Sequence, residues 1–98
     1  MINSQVRTGS GEIVLHGSCS LDWTRTVQQI DAEKFPFLTS LLPYADTMFN
    51  SLQAERLRRE VADPNVREVI GQDTALEIEE LCLQVEKGSH LYLWFLGD

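Results

Sequence analysis

Positive charge is scarce in this chain. Eight Lys and Arg stand against fifteen Asp and Glu, a formal net charge of −7. Without clustered cations, the ordinary means of gripping a nucleic-acid backbone or an anionic membrane surface are missing. Long apolar runs are missing too. No stretch approaches the roughly 18–20 residues of a membrane span, and the polar segment Met1–Gly11 contains no apolar signal core. Two cysteines, Cys19 and Cys82, are too few for a disulfide scaffold. These absences point to a cytoplasmic protein with reduced thiols. No glycine-rich phosphate cradle is present, because Thr8–Gly11 is short and reads as a turn between strands.

What remains is ordinary for a globular protein: 98 residues, 43% hydrophobic and 23% charged, read as a single domain over residues 1–98. The charge is unevenly spread. In residues 1–30, Arg7 and Arg25 balance Glu12 and Asp22, so the later residues carry the whole −7.

The expected fold class is α+β, with three or four helices packed on one face of a small antiparallel sheet. That sheet is formed by the N-terminal strand or strands and the C-terminal strand. Strands are expected over Asn3–Arg7 and Glu12–His16, with Gly17-Ser18 ending the second. A first helix is expected after Ser20, with Trp23, Val27 and Ile30 on one face. It is expected to end over Asp31–Lys34, Phe35-Pro36-Phe37 is a break, and Leu38–Leu42 reads as a short helical turn. A second helix ends near Ala62. Its start is open between Asp46 as the cap and Asn50 with Gln53 in a capping box, and Phe49, Leu52, Leu57 and Val61 form its apolar side. Asp63-Pro64 opens a short helix over residues 64–70, with Val66, Val69 and Ile70 inward and Gly71 closing it. The last helix is predicted from the capping-box pattern Thr74-Ala75-Leu76-Glu77, with Ala75, Ile78, Leu81, Cys82 and Val85 on its buried face and Gly88 at its end. In His90–Leu96, Leu91, Leu93 and Phe95 alternate with Tyr92, Trp94 and Leu96. Apolar groups on both faces mark either a central strand or one with a face covered by a partner.

Few residues carry chemistry. His16, Cys19, Cys82 and His90 are the soft-ligand types, but they lack a CxxC spacing, and Cys82 sits where a free cysteine acts as a small hydrophobe. The expectation is no metal, no cofactor and no enzymatic activity. Arg56, Arg58 and Arg59 are interleaved with Glu55 and Glu60. Glu55 is expected to pair with Arg59 and Arg56 with Glu60, which leaves Arg58 without a helical partner.

Two candidate sites emerge. On the last helix, Leu76 and Leu83 share a side away from the core, bordered by Glu77, Glu79, Glu80 and Glu86. An apolar ridge with an acidic border is a usual form of protein contact site, here for a basic partner. The second is a shallow pocket from Phe35, Phe37, Tyr44 and Asp46 in the central loops.

Phe35-Pro36-Phe37-Leu38, the run Pro43-Tyr44-Ala45-Asp46-Thr47-Met48-Phe49-Asn50 with Gln53, and the ending His90–Asp98 resemble a group of small bacterial proteins of no assigned activity. Those share a PYxDTxFN stretch and a terminal HxYLxFxGD. In size and charge the chain is also similar to immunity proteins that neutralise bacterial toxins. That likeness implies a non-enzymatic inhibitor of a basic toxin, and the alternative is a self-associating module in which Leu91–Leu96 extends a sheet across a homodimer.

Overall fold

The computed structural model describes residues 1–97; Asp98, the last residue of the terminal motif, lies outside the described residues. The chain runs β1 (Ile2–Thr8), β2 (Ile13–Leu21), β3 (Asp46–Phe49), α1 (Ser51–Val61), α2 (Pro64–Ile70), α3 (Gln72–Lys87) and β4 (Leu91–Leu96). Two 3-10 turns, Val27–Gln29 and Leu38–Ser40, interrupt the long connection from β2 to β3. The sheet is antiparallel throughout, in the order β2-β1-β4-β3. The α+β expectation holds: the N- and C-terminal strands pair directly, Val6 opposite Leu93 and Gln5 opposite Trp94.

Cross-strand partners share a sheet face. Ile2, Ser4 and Val6 of β1, Leu93 and Phe95 of β4 and Phe49 of β3 are therefore aligned on one face, and all are buried. Helix α3 crosses this inner face with Ala75, Ile78, Leu81, Cys82 and Val85 buried, as its periodicity predicts. Ala54, Leu57 and Val61 of α1 complete the layer, and the Phe49 ring meets Phe95 edge-on at 5.8 Å.

Several boundaries differ from the sequence reading. Strand β2 continues past Gly17-Ser18 to Leu21, by bulging twice against β1. The first expected helix is absent. Its apolar spacing is nonetheless used, since Val27 is buried and Trp23 and Ile30 pack against the core. The backbone there is held in turns by one local bond, from Thr26 Oγ1 to the Asp22 carbonyl, and by one long-range bond, from Trp23 Nε1 to the Leu41 carbonyl. Such bonds compete with helix, and Thr24, Thr26 and Val27 are β-branched. The helical turn at Leu38–Ser40 is present.

Asp46 does not cap a helix. It opens β3, a strand the sequence reading missed, and Phe49 belongs to that strand and not to the helix. Asn50 is the true cap of α1, in a reciprocal capping box with Gln53. Leu52 and Val69, expected inward, are exposed. Asp63 caps α2 with Pro64 at its first position. Gly71, at φ 92°, ends α2 and also starts α3. The Thr74–Glu77 capping box therefore does not form, because α3 begins at Gln72 and Thr74 already lies inside it. No helix among the described residues is long and apolar enough to cross a membrane.

Candidate functional site

The glutamates of the proposed acidic ridge are largely held by the chain itself. Glu77 reaches into the second bulge of β2, where its carboxylate accepts from the backbone N–H of Ser18 (2.8 Å) and Cys19 (2.8 Å) and from the Ser18 hydroxyl. Burial acts to raise the Glu77 pKa, but these bonds outweigh it and hold the carboxyl below its ordinary range. Gly17 belongs to the same device, since a Cβ there would collide with the Ser4 hydroxyl and press on Glu77. Glu79 pairs with Arg67 of α2. Glu86 forms a two-pronged pair with Arg58 of α1, at 2.7 and 3.0 Å. Glu80 alone of the set is bonded to no other element among the described residues; its carboxylate accepts from Gln84 of the same helix.

Arg58, without a partner within its own helix, thus finds one across the helix layer. Glu55 and Arg59 pair as expected at 2.6 Å. Glu60 does not pair with Arg56. It turns to the central loop and accepts from the backbone N–H of Phe37 (3.0 Å) and Leu38 (2.8 Å). Desolvation raises its pKa, and these two bonds recover only part of the shift. Leu76 stays 50% exposed and Leu83 is half-buried, so the ridge keeps its leucines while most of its acidic border serves as internal struts.

The second expected site is not assembled. Phe37 packs against Phe49, ring centroids 6.2 Å apart, and borders a groove with Leu52 and Arg56. Phe35 faces a different cavity of about 230 Å³, shared with Ile30, Val66 and Val69 and rimmed by Asp31 and Lys34. Tyr44 is 84% exposed. Asp46 lies opposite Leu96 in the sheet, on the face away from the helices. The reason is that Glu60 and Phe49 draw Phe37 to the helix layer while β3 carries Asp46 to the sheet edge.

The soft-ligand residues are dispersed. Cys82 is buried in the helix layer, and desolvation pushes its thiol up to about 12. His16 is exposed and opposite Gln5, on the other side of the sheet. No group of three or more His, Cys, Asp or Glu side chains converges among the described residues.

The feature that does stand out is the outer face of the sheet. Register places Gln5, Trp94 and Met48 in one row, with His16 beyond Gln5. Asn3, Leu96 and Asp46 form the next row on one side, and Ile13, Arg7 and Tyr92 the row on the other. The Arg7 guanidinium lies 4.7 Å from the Trp94 ring centroid, and its Nε donates to Gln5 at 2.9 Å. No helix among the described residues lies on this side, and Met48 is 48% exposed. Strand β4 is thus both central and apolar on an uncovered face. The alternation in His90–Leu96 was the signal for this surface. Its composition could not say whether the second apolar face was covered from within the chain.

Because β1 and β3 flank β4, β4 has no free edge with which to extend a sheet across a dimer. The free edges belong to β3, only four residues long, and to β2, whose two bulges blunt strand pairing although Ile13, Val14 and Leu15 are exposed.

Comparison with protein-family models, with curated proteins and with solved structures finds no match, so the functional reading rests on the chain's own geometry.

Proposed function

We propose that this chain is a non-enzymatic protein-binding domain whose docking surface is the helix-free face of its sheet. The observation that carries the reading is β4: half-buried Tyr92, Trp94 and Leu96 line that face beside exposed Met48, and no helix among the described residues packs over them. Open faces of antiparallel sheets are ordinarily polar. A cluster of Trp, Tyr, Met and Arg is the composition enriched at protein contacts, where Trp, Tyr and Arg act as anchors.

An immunity-type inhibitor of a basic toxin is the version of this reading that uses the charge of −7. Glu68, Asp73 and Glu80 are exposed on the helical side and would attract a basic partner at a distance. The test is capture of a partner from the native host by the tagged chain and by two variants. Met48→Asp should abolish capture at both low and high salt. Glu80→Lys should preserve capture and slow association at low salt. Equal capture by wild type and Met48→Asp would remove the sheet face from the interaction.

A further inference from the structure

We propose that the sheet face docks a second copy of this chain, face to face, with the strands of the two sheets crossing in the orthogonal class. The inference rests on the reading of that face as a docking surface and names its occupant. Two features argue for a second copy. The first is charge. A chain of −7 repels its own copies. On this face, however, the formally charged side chains among the described residues are Arg7 and Asp46, which cancel. Two copies therefore meet there without one acidic surface opposing another.

The second feature is placement. Trp94 is flanked by Gln5 on one side and Met48 on the other. Arg7 lies one strand over and toward the Tyr92 row, and Asp46 lies one strand over in the opposite sense and toward the Leu96 row. Arg7 and Asp46 are thus diagonal across Trp94. A two-fold axis passing near Trp94, between the sheets, carries each Asp46 onto the other copy's Arg7 when the strands cross at roughly 70–90°. Sheets stack about 10 Å apart, a gap that an Arg and an Asp side chain span together. The Arg7 guanidinium is already fixed over Trp94, and its bond to Gln5 uses Nε, so among the described residues its terminal nitrogens remain for the carboxylate. Met48, Leu96 and Trp94 with its Arg7 guanidinium become the centre of an isologous contact.

The test is sedimentation equilibrium of the full chain from micromolar to millimolar concentration, with charge-swap variants. Wild type should move from 11.1 kDa toward twice that mass. Arg7→Asp and Asp46→Arg should each weaken the dimer roughly tenfold or more, because each places like charges opposite one another twice. The double variant Arg7→Asp/Asp46→Arg should regain most of the loss. Urea midpoints would confirm that each variant still folds. A monomer at every concentration would overturn the proposal, as would a dimer that the double swap fails to restore. If wild type stays monomeric while Met48→Asp still loses a captured partner, the second copy is wrong and the docking face stands. If Met48→Asp changes neither mass nor capture, both readings fall.

Discussion

The two faces of β4 carry similar residues in different surroundings. On the inner face, Leu93 and Phe95 are sealed beneath α3 and against Phe49. On the outer face, Tyr92, Trp94 and Leu96 lie among their sheet neighbours and the Arg7 guanidinium. Burial by the chain's own helices makes the first set a matter of stability. The second set is not needed to close the core, and it is the set that the proposed docking uses. The same distinction reassigns the acids. Glu77, Glu79 and Glu86 look from the sequence like a solvated recognition border, yet they tie α3 to β2, α2 and α1.

The sharpest way to break this contrast is to truncate one residue on each face. Phe95→Ala should cost about 3–5 kcal/mol of unfolding free energy, read from urea denaturation, because it opens a cavity in a filled core. An effect below about 1 kcal/mol would mean that the inner face is not the core.

Next in size is Glu77. Glu77→Ala leaves the Ser18 and Cys19 N–H groups to water and should cost about 1 kcal/mol, the modest value suited to a partly exposed site. Its native pKa lies below the unfolded value. Its stabilisation is therefore complete above the unfolded pKa and is lost as pH falls through the lower native one. Glu77→Gln should flatten this part of the acid-side decline in stability. Glu60, shifted upward, has the opposite sign: its contribution is greatest below the unfolded pKa and declines as pH rises through the native one. Glu60→Gln should thus remove a slope of opposite direction, measurable in the same pH series.

A smaller effect separates the thiols. The Cys82 thiol, buried and pushed up to about 12, should resist a thiol reagent at pH 8 until denaturant is added, whereas half-buried Cys19 should react in the native state. The smallest expected stability change is on the outer face itself. Met48→Asp should shift unfolding by only about 0.5 kcal/mol while removing association.

Much of the fold was legible because local rules and tertiary packing agree over long stretches. The buried face of α3, the Asn50–Gln53 box and the Asp63-Pro64 start all follow from spacing and capping chemistry. Reading failed where long-range contacts decide. β3 is four residues long and gains strand geometry only by lying beside β4. Trp23, Val27 and Ile30 have helical spacing, but Thr26 and Trp23 bond to carbonyls that fix turns instead. The Thr74–Glu77 box was lost because Gly71 already starts the helix, which frees Glu77 to serve β2. For the candidate site, the alternation in β4 marked the apolar outer surface on which the proposed function rests. The internal pairings of Glu77, Glu79 and Glu86 were not legible because their cationic or backbone partners, Arg58, Arg67 and Ser18, lie on other elements.

The most direct test of the central claim is to compare association by Met48→Asp, on the sheet face, with association by Glu80→Lys, on the helix face, after both are confirmed folded. Concentration-dependent mass and partner capture serve together as the readout. The account predicts that Met48→Asp loses association and Glu80→Lys retains it. The reverse pattern, with association surviving Met48→Asp and lost in Glu80→Lys, would contradict the account and return recognition to α3.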